Sequence, residues 1–148
     1  MGGASTEATR DYVANRMREG IAEEHFRLAQ GLWLSSIGLG TYLGRNDDAT
    51  DDLYRRAAVR SVKAGCNVLD TAINYRCQRS ERSIAIALRE LADDGIPREQ
   101  IVLATKGGFI PFDGDSPNDA ADYLRKNYFE SGVLRPEDVV GGCQAIAP

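Results

Sequence analysis

The 148-residue chain has one histidine, one tryptophan, two methionines and three cysteines. A single histidine, His25, removes most metal sites and catalytic triads that depend on imidazole. The cysteines (Cys66, Cys77 and Cys143) are odd in number, widely spaced and without a Cys-x-x-Cys pair. They read as reduced thiols of a cytoplasmic protein, not as a disulfide framework or a zinc site. No run approaches the ~18 uninterrupted apolar residues of a membrane span. Met1-Gly2-Gly3-Ala4-Ser5-Thr6-Glu7 lacks the basic-then-apolar order of a secretory signal. A basic excess is missing too: the net charge is −4, which argues against nucleic acid as a partner. What remains is 43% hydrophobic and 27% charged, the balance of one soluble globular domain.

Hydrophobic period divides the chain into alternating strands and helices. Residues 5–20 suit a short helix with Ser5 or Thr6 as cap and Gly20 as stop, although Tyr12, Val13 and Met17 make a poor apolar stripe. Phe26-Arg27-Leu28 and Leu32-Trp33-Leu34, around Ala29-Gln30-Gly31, predict a hairpin. Ser36-Ile37-Gly38-Leu39-Gly40 predicts a short buried strand. A helix capped by Thr50 and stopped by Gly65 follows, with Leu53, Tyr54, Ala57, Ala58 and Val62 on its buried half. Cys66-Asn67-Val68-Leu69 is the next strand. A helix capped by Ser80 then places Ile84, Ala87, Leu88 and Leu91 on one stripe before Gly95 and Pro97. Ile101-Val102-Leu103-Ala104-Thr105 is an apolar run of the kind buried on both faces of a parallel sheet. Beyond Lys106 the pattern becomes a long irregular segment with one helix, capped by Ser116 and stopped by Gly132. The fold class is therefore α/β, built from βαβ units on a parallel sheet.

In such folds reacting groups gather at the carboxyl ends of strands. Those ends carry Gly40-Thr41-Tyr42, then Asp70-Thr71-Ala72, then Lys106-Gly107-Gly108, with Tyr75 on the loop after Asp70. A phenol with a pKa near ~10 is a poor acid at neutral pH. An ammonium beside it stabilises the phenolate, and a carboxylate keeps that ammonium charged and aimed. Taken singly, Asp70 suits a turn, Tyr75 suits packing with a wet hydroxyl, and Lys106 suits a surface charge. Joined at successive strand ends, the three are better explained as proton-transfer chemistry. Gly38-Leu39-Gly40-Thr41-Tyr42-Leu43-Gly44 looks like a dinucleotide fingerprint with Asp70 as its acid. Its third glycine comes one place late, however, and residues 45–49 separate the loop from its helix, so that reading is set aside.

The segments Ile37-Gly38-Leu39-Gly40-Thr41-Tyr42, Asn67-Val68-Leu69-Asp70-Thr71-Ala72-Ile73-Asn74-Tyr75, Ser80-Glu81 and Leu103-Ala104-Thr105-Lys106 resemble the aldo-keto reductases. The resemblance runs from about residue 26 to about residue 108. It implies a (β/α)8 barrel that reduces a small-molecule carbonyl with NADP(H). Tyr75 would be the general acid, Lys106 would stabilise its phenolate, and Asp70 would pair with Lys106. Gly40, Thr41 and Tyr42 would lie beneath the nicotinamide end of the cofactor, with Asp70 near its ribose and no metal involved. The hairpin would close the barrel bottom.

The departures are equally specific. The family's fourth catalytic residue is a histidine ending the next strand, and no such segment occurs in this sequence. A barrel of this kind usually takes ~250 residues, so the chain is expected to hold three βα units, ending before the fourth strand. Residues 1–24 then form an extension, and residues 25–148 a partial barrel in which 107–148 are a long segment over the mouth. Two alternatives have other functions: a non-enzymatic half-barrel serving as a binding or structural module, and a regulatory protein like the potassium-channel β-subunits. Without the histidine and the later cofactor-gripping segments the isolated chain is expected to be inactive, and with strand edges unpaired it is expected to self-associate.

Overall fold

The computed structural model describes residues 2–140, so Cys143 lies outside the described residues. Helix α1 (Thr6–Arg18) starts where the Ser5 side chain accepts from the Ala8 amide. Its stripe is short, but it is not idle: Thr9, Tyr12 and Val13 are buried. The Thr9 hydroxyl accepts from the Trp33 amide, and the Tyr12 hydroxyl donates to the Val62 carbonyl. The segment read as an extension is thus bolted to the rest of the molecule.

Strands β1 (Phe26–Ala29) and β2 (Leu32–Ser35) pair antiparallel across Gln30 and Gly31. Both turn residues have positive φ, 51° and 78°, the twist that a two-residue hairpin needs. Then come β3 (Gly38–Gly40), α2 (Asp48–Lys63), β4 (Val68–Asp70), α3 (Arg79–Asp93) and β5 (Val102–Ala104). The last three strands form one parallel sheet in the order β3-β4-β5. Helix α4 (Ala120–Leu124) follows and runs into a π-helical turn at Arg125–Phe129. None of these helices is long and apolar enough to cross a membrane.

Register assigns each residue its face. Leu39, Leu69 and Leu103 stand in one row and meet the core of Val59, Val62, Ile84, Ala87 and Leu91. The rows Gly38-Val68-Val102 and Gly40-Asp70-Ala104 point the other way, and no residue in them is buried. This corrects two expectations: β3 is not a buried strand and β5 is not buried on both faces, because the described helices cover one side only.

Three caps also differ. Asp47, not Thr50, caps α2, since its carboxylate accepts from the Thr50 amide and leaves Thr50 inside the first turn. Gln78 precedes α3 without a side-chain cap, because the Ser80 hydroxyl is drawn away to the Thr41 carbonyl. Asp119, not Ser116, caps α4. The buried stripe of α2 is Ala58, Val59 and Val62, while Leu53 stays exposed along a shallow apolar groove with Leu43 and Ala57.

Two polar side chains, one fully buried and one partly buried, hold the strand starts. The fully buried Asn67 accepts from the Ser35 amide and donates to the carbonyls of Trp33 and Gln100. It thereby joins the hairpin to the entries of β4 and β5. His25 has the same kind of role, between the Ser36 hydroxyl and the Gly65 carbonyl.

Burial pushes the Tyr12 phenol well above the usual tyrosine value. The fold then keeps its proton at pH values where the unfolded chain loses it, so stability falls as pH rises through about 10. Urea unfolding on either side of that pH is expected to show this loss, and Tyr12→Phe to flatten it at the cost of the Val62 bond. An equally steep loss in Tyr12→Phe would exclude Tyr12 as the source.

Candidate active site

The sheet register puts Gly40, Asp70 and Ala104 side by side at the carboxyl ends of their strands. Past that line the Thr41 amide donates to the Asp70 carbonyl and the Thr71 amide to the Ala104 carbonyl. The chain exits are therefore held level. Asp70 projects from the exposed face between a glycine and an alanine, whose small size leaves room beside its carboxylate.

The Lys106 Nζ donates to Asp70 Oδ1 at 2.6 Å and to the Thr71 carbonyl at 3.1 Å. It also lies over the Tyr75 ring, 4.8 Å from the centroid. The hydrogen bond to Asp70, and after it the contact with Tyr75, hold the Lys106 ammonium above the ordinary lysine value. The lysine is thus a fixed cation at neutral pH. Tyr42 meets Tyr75 edge-on with centroids 5.0 Å apart.

The loop between Asp70 and α3 gives Tyr75 its direction. Tyr75 closes a turn on the Ala72 carbonyl, and the Ile73 amide donates to the Lys106 carbonyl. Arg76, Cys77 and Gln78 then all adopt positive φ, at 49°, 54° and 71°. Each left-handed non-glycine residue costs roughly 1–2 kcal/mol, so such a run persists only where its surroundings hold it.

Of the residues singled out in the sequence, Asp70, Tyr75 and Lys106 come together, with Tyr42 beside them. Gly40 sits at the rim, exposed, with open space where a Cβ would stand. Thr41 is placed differently: it is fully buried, and its hydroxyl donates to the Asp70 carbonyl. Its side chain holds the loop and offers no surface for a direct contact. Sequence reading missed Ser80 and Arg76, because a serine near a helix start signals a cap and an arginine in a polar loop signals a solvated charge. The site is an open shelf; a separate apolar cavity runs along α3, lined by Ala85, Leu88 and Ala92.

An aligned carboxylate, ammonium and phenol at the carboxyl ends of parallel strands coincide with a match to the Aldo/keto reductase family model over residues 36–133. The chain belongs to the aldo/keto reductase family. It is 35% identical over 82 residues to the NADH-specific methylglyoxal reductase of Escherichia coli, a stretch that covers 52% of this chain and 24% of that protein. Against the glycerol 2-dehydrogenase (NADP(+)) of Saccharomyces cerevisiae the identity is 34% over 79 residues, or 53% of this chain and 22% of the relative. The 6-dehydroglucose reductase of Novosphingobium aromaticivorans is 32% identical over 122 residues, with 80% of this chain and 39% of the relative covered. The chain thus spans between 22% and 39% of the length of these family members.

Proposed function

We propose that this chain carries the acid–base half of an NADP(H)-dependent carbonyl reductase site. The observation that carries the proposal is the Lys106 ammonium set between the Asp70 carboxylate and the Tyr75 ring. Tyr75 gives its phenolic proton to the oxygen of a small carbonyl substrate. Lys106 stabilises the phenolate left behind, and Asp70 keeps Lys106 charged and pointed at the ring. In the alcohol-to-carbonyl direction the phenolate takes the proton back.

The residues present fit a nicotinamide cofactor. The bare, exposed backbone at Gly40 and the exposed Tyr42 ring leave a flat approach beside Tyr75, and Asp70 offers a carboxylate for a ribose hydroxyl. When bound, the cofactor supplies the hydride to the carbonyl carbon. The relatives' names point to both coenzymes, one NADH and one NADP(+). NADP(H) is our choice for this chain, on the family resemblance. The same reading makes residues 25–148 a partial (β/α)8 barrel in a cytoplasmic protein, with the β1–β2 hairpin closing the barrel floor.

Two measurements test this. Residues 26–108 grafted in place of the matching segment of the E. coli methylglyoxal reductase are expected to give an active reductase. A graft that binds cofactor yet reduces nothing would sink the assignment. The 148-residue chain alone is expected to show no saturable oxidation of NADPH with 4-nitrobenzaldehyde. Its Lys106 and Asp70 side chains are 49% and 45% exposed, too wet for strong electrostatic catalysis. Turnover by the chain alone that Tyr75→Phe abolishes would contradict this.

A further inference from the structure

Outside the acid–base set, Arg76 has the most unusual surroundings. It follows Tyr75 directly, and its side chain is 1% exposed. Nε and Nη2 donate to the Arg45 carbonyl at 2.8 and 2.5 Å. Nη2 also reaches Asp51 Oδ1 at 2.6 Å and the Asp47 carbonyl at 3.3 Å. The guanidinium carbon lies 5.2 Å from the centre of the Tyr54 ring, and Nη1 is buried without a hydrogen-bond partner. A cation desolvated to this degree is costly to keep, and an apolar residue would fill the space more cheaply. What its bonds do provide is a fixed geometry between the segments they join.

The partners identify those segments. Arg45 and Asp47 belong to the connection between β3 and α2, and Asp51 to the first turn of α2. That connection also carries Tyr42, whose ring meets Tyr75. On the other side, Arg76 opens the left-handed run that separates Tyr75 from α3. One guanidinium therefore ties together the two connections that bring Tyr42 and Tyr75 into contact. Arg79 provides a contrast at the side chain: it shares Asp51 and also pairs with Asp48, at the helix starts, and its amide donates to the Arg76 carbonyl, but its guanidinium bonds neither the Arg45 nor the Asp47 carbonyl.

We propose that Arg76 is a positioning residue for Tyr75: its buried guanidinium holds the strained run in place and keeps the phenol under the Lys106 ammonium. The proposal rests on the reading of Tyr75 as the general acid. Lysine acylation followed by mass spectrometry tests it in the full 148-residue chain, at concentrations low enough to keep the chain dispersed. The chain has three lysines. Lys106 reports the Tyr75 contact, Lys63 reports the α2–α3 packing through its ion pair with Asp94, and Lys126 is a reference on α4's extension.

Tyr75→Leu uncovers Lys106 and sets the full increase in its acylation rate relative to Lys126. Arg76→Met is expected to reproduce most of that increase with Lys63 unchanged, and Arg79→Met to leave Lys106 as it was. An unmoved Lys106 in Arg76→Met overturns the proposal, as does an equal rise in Arg79→Met. If Lys63 rises along with Lys106 in Arg76→Met, the fold has opened and Asp51→Asn decides. In Asp51→Asn a rise at Lys106 alone supports the clamp, whereas no rise, or a rise at both lysines, overturns it. If Tyr75→Leu leaves Lys106 unchanged, the contact is absent and the proposal falls with it. Failure of the acid–base reading shows separately, as activity of the grafted enzyme that survives loss of the phenol.

Discussion

Tyr75→Phe is expected to lower kcat of the grafted reductase by about 10²–10⁴-fold, the usual worth of general acid catalysis. That corresponds to ~3–5 kcal/mol of transition-state stabilisation. Cofactor affinity is expected to change little, because the hydroxyl acts on the charge developing at the carbonyl oxygen, while Tyr75 keeps its ring against Tyr42. Lys106→Met is expected to cost a similar factor, because the phenolate left after proton transfer then has no ammonium beside it; Nζ lies 4.8 Å from the ring centroid. Cofactor fluorescence titration separates loss of rate from loss of binding. A Lys106→Met enzyme with unchanged kcat would remove the role assigned to the lysine.

In the isolated chain, concentration-dependent self-association is expected. Among the described residues, β3 and β5 are the outer strands of the sheet, each with one edge unpaired by another strand. An open edge invites pairing with a second chain, and closed barrels avoid this by having no edges. The face carrying Gly38, Val68 and Val102 is also uncovered by helices, and Ile37, Tyr42, Leu43 and Phe109 are exposed nearby. Ile101-Val102-Leu103-Ala104-Thr105 combines apolar character with no charge and no proline, the composition that favours edge pairing. Size-exclusion chromatography with light scattering across a concentration series checks this. A single monomer at every concentration, unfolding cooperatively, would show that the residues form a self-sufficient unit.

Much of the architecture follows from local rules that a sequence displays directly. Gln30-Gly31 between two apolar runs specifies a tight hairpin because both positions must accept positive φ. The stripe of Ile84, Ala87, Leu88 and Leu91 specifies the buried side of α3 because helix geometry repeats every few residues whatever the partner. Asp70, Tyr75 and Lys106 were legible as a set for a related reason: strand ends in a parallel sheet share one rim, so residues just past them become neighbours.

Other features depended on contacts between segments distant in sequence. Asp47 rather than Thr50 starts α2, because both residue types cap well and the choice turns on how the chain arrives from β3. Tyr12 sits in an unpromising stripe, yet it is buried because the Val62 carbonyl, 50 residues away, accepts its hydroxyl. Thr41 and Ser80 read as a site residue and a cap, but tertiary folding joins them in one chain of hydrogen bonds behind Asp70. Arg76 is the extreme case. An arginine in a polar loop is ordinarily solvated, and only the approach of residues 45, 47 and 51 surrounds it with acceptors and removes it from water. The sequence by itself determined the elements, their order and the meeting of Asp70, Tyr75 and Lys106, since these rest on periodicity and position along the chain. Which polar groups are buried, and therefore what holds the trio in place, was decided by tertiary structure, because burial depends on partners that local sequence does not contain.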